Sequence, residues 1–405
     1  SWGELGNQNT SNLYPFYEIL PVKSNSGNWL VNGGKTNTAD IPSLVSTLLT
    51  WERVRSFNVG FDFGAFSNRL TGSFDYFVRK TVDMVGPAPQ LPLVLGIAPA
   101  IVNNADMKSY GFEIELSWRD RIGEVDYGVK FNLADAQQKV VKYPNTTNAF
   151  SDWYAGKMSG EIWGYTSLGI AKTDEEMKEH LASLPNGGQN QLGNKWGAGD
   201  IMYADINGDG KVDGGKGTLA DPGDQRIIGN STPRYNFGLV LDASYKGFDV
   251  SIFFQGVGKR DYAPIVGTNG AVFWGAVNNI WQSMAMEEHF DYFRPEGHPM
   301  GANLNGYYPR PDFTSNKNHQ VQTRYLQDAS YIRLKNLQIG YTLPKQWINK
   351  LHINRCRVYV SGDNLWTGTS LASMFDPETL AAGDWGSGKT YPLSKVISFG
   401  LNVTF

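Results

Sequence analysis

From Ile397 the odd positions of the chain are Ile397, Phe399, Leu401, Val403 and Phe405, and the even ones are Ser398, Gly400, Asn402 and Thr404. A period of two with one wholly apolar face predicts a strand. In water that face would be buried beneath a helix or a second sheet; in a membrane it would meet lipid and leave the small polar face to a water-filled lumen. The alternation recurs upstream. Phe57, Val59, Phe61, Phe63 and Ala65 interleave with Asn58, Asp62 and Gly64, and after Ser67-Asn68 a second run, Leu70 to Val78, predicts the other arm of a hairpin. Tyr110 to Trp118 and Val125 to Leu133 repeat the device around a short turn at Asp120 to Gly123, and Tyr235 to Tyr245 turns through Lys246-Gly247 into Phe248 to Phe254. Tyr331 to Leu343 slips in phase near Lys335-Asn336, which predicts a bulge. Arg355 to Trp366 is one further run.

Between these runs lie connections of two kinds. Some are tight and polar; others are long, notably 86–104, 185–229, 262–319 and 367–390. Within the irregular parts, Leu13 to Leu20 and Glu161 to Ala171 are candidate strands. Asp174 to Leu184, Trp274 to Met286 and Pro344 to Leu351 are candidate helices. Roughly ten strands are expected, and their runs are nearer the about 9 to 11 residues of a tilted membrane strand than the about 5 to 6 of a soluble one. Short turns at one end, long loops at the other and aromatic residues near strand ends (Tyr110, Trp118, Tyr235, Tyr245) fit the same architecture. The expectation is an all-β chain, a transmembrane antiparallel β-barrel segment forming one domain over 1–405.

Composition narrows the reading. Gly is abundant at 46, aromatics reach 13% and charged residues only 19%, as suits an all-β chain. A net charge of -3 offers no electrostatic footprint for nucleic acid. Cys356 is the only cysteine, so neither an internal disulfide nor a thiolate metal cluster can form. No apolar run approaches the roughly 18 residues of a membrane helix. The mean hydropathy of -0.36 does not argue against a barrel, because alternation averages polar with apolar positions. The chain opens at Ser1 with neither Met nor a basic, apolar leader, and a processed or cut product is expected.

The sharpest chemical motif is Asp205-Ile-Asn207-Gly-Asp209-Gly-Lys211-Val-Asp213. Oxygen side chains at relative positions one, three, five and nine, a Gly at six and the Lys211 carbonyl at seven follow a calcium loop. Hard oxygens suit Ca²⁺. The twelfth position is Lys216 in place of a bidentate Glu, with Asp221 or Asp224 as substitutes; the alternative is an Asp/Asn/Gly turn held by its own hydrogen bonds. Nothing suggests catalysis. His180, His289, His298, His319 and His352 are scattered, no HExxH, GxSxG or P-loop occurs, and Glu113 with Glu115 reads as lumen-facing charge. Trp153, Tyr154, Trp274, Trp281 and Trp385 are loop aromatics on which a sugar ring or peptide side chain could stack.

Several stretches resemble the C-terminal part of SusC-like TonB-dependent outer-membrane transporters, the glycan and peptide importers of Bacteroidetes. They are Ser1 to Gln8 (SWGELGNQ), Gly199 to Gly210 (GDIMYADINGDG), Gly229 to Gly256 with PRYNFG and YKGFDVSIFFQG, Ser330 to Pro344 (SYIRLKNLQIGYTLP) and Arg357 to Thr369 (RVYVSGDNLWTGT). Each is weak alone, but five in family order are not. The resemblance implies the C-terminal portion of a barrel of about 22 strands with a plugged lumen, in the outer membrane of a Gram-negative cell. It implies as partners a SusD-like surface lipoprotein over the long loops and TonB acting through a plug that this chain lacks. About ten strands cannot close such a barrel without leaving edges unpaired in lipid, so a fragment is expected. The implied cargo is an oligosaccharide or, second, a peptide. Two rivals remain open: a soluble carbohydrate-binding β-protein with a structural calcium site, and a secreted glycoside hydrolase with two carboxylates.

Overall fold

The computed structural model describes residues 1–8, 14, 16–42, 44–46, 48–88, 94, 97, 99–264, 287–312, 317–349, 352–380 and 390–405. Among them, ten strands join in one sheet in simple chain order. These are β1 (Trp2–Asn7), β2 (Glu52–Ala65), β3 (Leu70–Gly86), β4 (Val102–Ile122), β5 (Val125–Lys142), β6 (Arg234–Tyr245), β7 (Phe248–Lys259), β8 (Tyr331–Thr342), β9 (Arg355–Thr369) and β10 (Val396–Thr404). Each strand lies beside its sequence neighbour, so the sheet is an antiparallel meander. Short links 66–69, 123–124, 246–247 and 343–354 alternate with long ones, and in a meander that sends every long link to the same end. The two-residue link 246–247 works because Lys246 and Gly247 both take positive φ (47° and 90°), the geometry that lets so short a turn follow the strand twist.

The register shows what the alternation is for. Ser398, Ser361, Gln338, Ser251, Asp242 and Gly128 lie opposite one another across six strands, and the adjacent row is Phe399, Val360, Ile339, Val250, Ala243 and Tyr127. Opposed residues share a face. Across these six strands one row is polar or small and its neighbour on the opposite face is apolar throughout. On the polar face Arg357 donates through Nε to Asp249 Oδ1 (2.9 Å) and through Nη2 to Gln338 Oε1 (3.0 Å). The apolar face is uncovered: Phe57, Val59, Phe61, Phe63, Phe248, Ile339, Val358, Ile397 and Leu401 are exposed, and Phe399 retains 84% of its surface. These rows are not packed into a water-soluble core, and an apolar sheet face of this extent needs another solvent.

The bulge falls where the phase slips. Asn336 opposes Phe253 and Leu334 opposes Phe254, so Lys335 is passed over; on the other side Leu334 meets Trp366 and Asn336 meets Asp363, with Asn364 at φ 52°. The extra residue switches the parity of β8, which returns Leu334 and Ile332 to the apolar side.

The residues group into two compact units, one of 1–59, 76–111 and 137–159 and the other of 60–75, 112–136 and 160–405. In the first, β1 pairs with the start of β2 from Trp2↔Phe57 to Asn7↔Glu52. Its sequence stretch reads as irregular because six residues with two glycines show little alternation. In the second, α1 (Asp174–Ala182) begins at Thr173, whose hydroxyl accepts from Glu176 N–H (3.1 Å), and α2 is a single turn (Lys345–Ile348). The expected strand at 161–171 is two: Glu161–Gly164 pairs with Arg226–Asn230, and Ser167–Ile170 with Ile201–Tyr203. Tyr165 breaks it by donating its N–H to Val321 O instead (2.8 Å). Residues 14 and 16–20 form no strand, and Trp274 to Met286 lies outside the described residues.

Candidate functional site

The long links of the second unit are folded, with cores of their own. Tyr165, Ile170, Leu184, Ile201, Tyr203, Val212 and Phe293 form one buried cluster; Tyr262, Tyr308, Tyr325, Ala329, Leu371 and Phe375 form another. The first is built around Asp200, whose carboxylate is fully buried. Asp200 accepts from Arg310 Nε (2.8 Å) and Nη2 (2.7 Å), Lys317 Nζ (2.8 Å), Asn318 Nδ2 (2.9 Å) and Gly197 N–H (2.9 Å). Pairing with Asp200 raises the pKa of Arg310 above its ordinary value.

Beside this ion cluster runs the short strand Ile201–Tyr203. Gln189 pairs with it as a backbone would, donating to Ile201 O (2.8 Å) and accepting from Tyr203 N–H (3.1 Å), and Asn318 Oδ1 accepts from Ile201 N–H (3.0 Å). Tyr203 Oη donates to Lys317 O (2.6 Å), and burial holds its pKa well above that of a free phenol. Burial also pushes Tyr165 up to about 12, with Gln225 Nε2 donating to its oxygen (3.2 Å).

A second ionic knot fastens the last long link to the wall. Arg333 donates to Asp376 Oδ1 (2.7 Å), Glu378 Oε2 (2.7 Å) and Thr367 Oγ1 (2.9 Å), and Lys335, the bulged residue, to Glu378 Oε1 (2.9 Å). Asp376 and Glu378 are thus spent on cations, not held apart as a catalytic pair.

The Asp205 loop is wound on its own side chains. Asp205 accepts from Gly208 N–H (2.6 Å) and Gly210 N–H (2.8 Å), Asn207 from Asp209 N–H (3.0 Å) and Asp209 from Lys211 N–H (3.2 Å). Asp224, buried, accepts from Ile206 (2.7 Å), Asn207 (3.3 Å) and Asp213 (2.8 Å). Lys211 Nζ lies 2.5 Å from Asp213 Oδ2 and holds that carboxyl below its usual range. Among the described residues no three carboxylate, imidazole or thiolate side chains gather as they would around a metal ion.

Of the loop aromatics, Trp153 and Tyr154 flank one ammonium. Lys157 Nζ lies 5.7 and 5.3 Å from their ring centres and donates to Phe150 O (3.0 Å) and Asp152 O (2.7 Å); Trp153 stays 39% exposed. Trp274, Trp281 and Trp385 lie outside the described residues. Asp200, Gln189, Tyr203, Lys317 and Asn318 are not legible as a group, because Asp200 and Tyr203 reach Lys317 and Asn318 across more than 100 residues; the one signal is GDIMYADINGDG, which contains three turn-forming glycines around an apolar core strand.

Residues 1–365 match the family model described as TonB dependent receptor-like, beta-barrel. The chain belongs to that family. It is similar to TonB-dependent receptor P3 of Formosa agariphila, 28% identical with all of this chain matched to 39% of that relative's length. TonB-dependent receptor SusC of Bacteroides thetaiotaomicron is 20% identical, all of the chain again matching 37% of it. Among solved structures, that of the RagAB peptide transporter covers the whole chain with 40% of its own, at 23% identity and a TM-score of 0.70. The chain therefore spans about two fifths of the length of these relatives. As a TonB-dependent receptor barrel segment it is an outer-membrane chain that crosses by strands; among the described residues no helix is long and apolar enough to do so. The members of this family are receptors, not enzymes. The exposed apolar rows give no support to a soluble binding module or a hydrolase.

Proposed function

We propose that this TonB-dependent receptor chain supplies part of the wall and the cell-surface loops of an importer that carries an oligosaccharide, or alternatively a short peptide, across the outer membrane with a SusD-like lipoprotein over the loops. The reading rests on one observation: a two-faced meander, apolar outside and polar inside, carries at its long-link end a folded loop assembly with cores of its own. Short turns face the periplasm and long loops the cell surface in such barrels. Resemblance to SusC-like sequences favours oligosaccharide as cargo; RagAB, similar in fold, is named a peptide transporter. TonB would act through the part of the relatives' length that this chain does not match.

The test is uptake by cells carrying the full-length receptor and its neighbouring lipoprotein, with labelled oligosaccharides and peptides supplied in parallel. Loss of uptake of one cargo class on deleting the receptor, and again on deleting TonB, is the expected result. Undiminished uptake of both classes would overturn the reading.

A calcium role for the Asp205 loop belongs to the same proposal. Asp205, Asn207, Asp209, the Lys211 carbonyl and Asp213 would hold the ion, and their calcium-loop spacing in the sequence supports it. Lys211 is the resident cation beside Asp213 and Asp209, which a divalent ion would have to displace. Bound Ca²⁺ would supply rigidity to the loop. Proteolysis of the loop in Ca²⁺ and in chelator checks this: protection by Ca²⁺ that Asp205→Ala abolishes is expected, and equal cleavage in both sinks it.

A further inference from the structure

The outward face of the first unit changes character at one level. Trp2 opposes Phe57, and one pair further along Glu4 opposes Arg55. Ring contact of Phe61 with Phe74 (5.7 Å between centres) sets β2 against β3, and counting back six residues brings Arg55 abreast of Lys80. Arg119 N–H donates to Arg69 O (2.8 Å), which sets β3 against β4, and counting along both strands brings Lys80 abreast of Lys108. By the same count Phe57, Val78 and Tyr110 form the row beneath. All share the parity of the apolar face, so lipid-facing apolar residues give way within one pair to Arg55, Lys80 and Lys108.

The arginines there are already partnered. Arg55 Nε donates to Glu4 Oε2 (2.7 Å) and Arg53 Nε to Asp83 Oδ2 (3.1 Å), while Asp106 Oδ1 accepts from Asp83 N–H (2.9 Å). Among the described residues no carboxylate pairs with Lys80 or Lys108; the Lys108 ammonium stands 5.0 Å from the Tyr110 ring centre. Two abreast lysines without counter-ions repel, and they sit at the rim of the hydrocarbon zone on the side of the long loops.

We infer that Lys80 and Lys108 together hold the phosphate of an outer-leaflet glycolipid, with Tyr110 packed at the level of its headgroup. This rests on the outer-membrane reading above. The site adds to it a lipid-class preference, since a neutral headgroup would leave both ammonium groups unmatched. A juxtamembrane lysine contributes roughly fivefold in affinity for an anionic headgroup, so roughly 25-fold is at stake for the pair.

The experiment takes the full-length receptor in maltoside micelles carrying either bisphosphorylated lipid A or the same lipid stripped of phosphate, and counts lipid retained per protein by native mass spectrometry. Wild type should prefer the phosphorylated lipid, Lys80→Gln/Lys108→Gln should lose that preference, and Lys80→Arg/Lys108→Arg should keep it. Equal preference in wild type and the Gln variant overturns the site. Displacement of the lipid by inorganic phosphate overturns the lipid as its occupant. Retention of no lipid of either kind by any variant would instead sink the membrane reading itself.

Discussion

Asp200 accepts from five donors in a buried setting, and three of them belong to the two cations Arg310 and Lys317, so its removal is felt through Lys317, whose ammonium is nearly inaccessible. A buried ion left without its partner costs about 3 to 5 kcal/mol. Asp200→Ala should therefore unfold the loop assembly while the strands persist. Hydrogen exchange would show Ile201 to Tyr203 losing protection and β6 to β9 keeping it. His319 gives the loops a pH dependence. Burial lowers its pKa from 6.5 to about 4, so the unfolded loop binds a proton more readily than the folded one between those values. Stability is complete above about pH 6.5 and falls as pH drops toward 4. Loop melting followed from pH 7.5 to 4.5 should show this slope, and His319→Gln should flatten it.

The strands make a sharper prediction, because neighbouring positions meet different solvents. Leu241 lies in the apolar row with Ile252 and Val129, while Val240 lies on the polar face between Phe253 and Lys130. An arginine on the lipid face near the bilayer midplane costs about 2 to 4 kcal/mol, and on the lumen side far less. Urea titration of the full-length receptor refolded into lipid vesicles should show Leu241→Arg destabilised by that amount and Val240→Arg near wild type. Deleting Lys335 should cost little more than replacing it, since Asn336 already opposes Phe253 and Leu334 already opposes Phe254, so Tyr331 to Leu334 keep their faces and the ion pair of Lys335 with Glu378 is what is lost.

For the molecule as a whole, the exposed rows demand detergent. The full-length receptor should precipitate when detergent is removed and stay monodisperse when lipid replaces it; stable solubility without either would contradict the barrel assignment. The ionic knot at Arg333, Lys335, Asp376 and Glu378 ties the last long loop to the wall beside the apolar cluster in which Leu371 and Phe375 are buried.

Nine of the ten sheet strands, their faces and even the bulge at Lys335 were readable from the chain, because a period of two depends only on local pleating and on having two unlike solvents; β1 was not, since its six residues barely alternate. The helix at Asp174 was readable from its acidic first turn. Strand lengths were underestimated: β4 runs from Val102 and β5 to Lys142, past the rim where lipid stops imposing alternation. The loop assembly was not readable. Asp200 meets Lys317 and Tyr203 meets Gln322 across more than 100 residues, and such contacts arise from three-dimensional closure of polar groups, which leaves no period in the sequence.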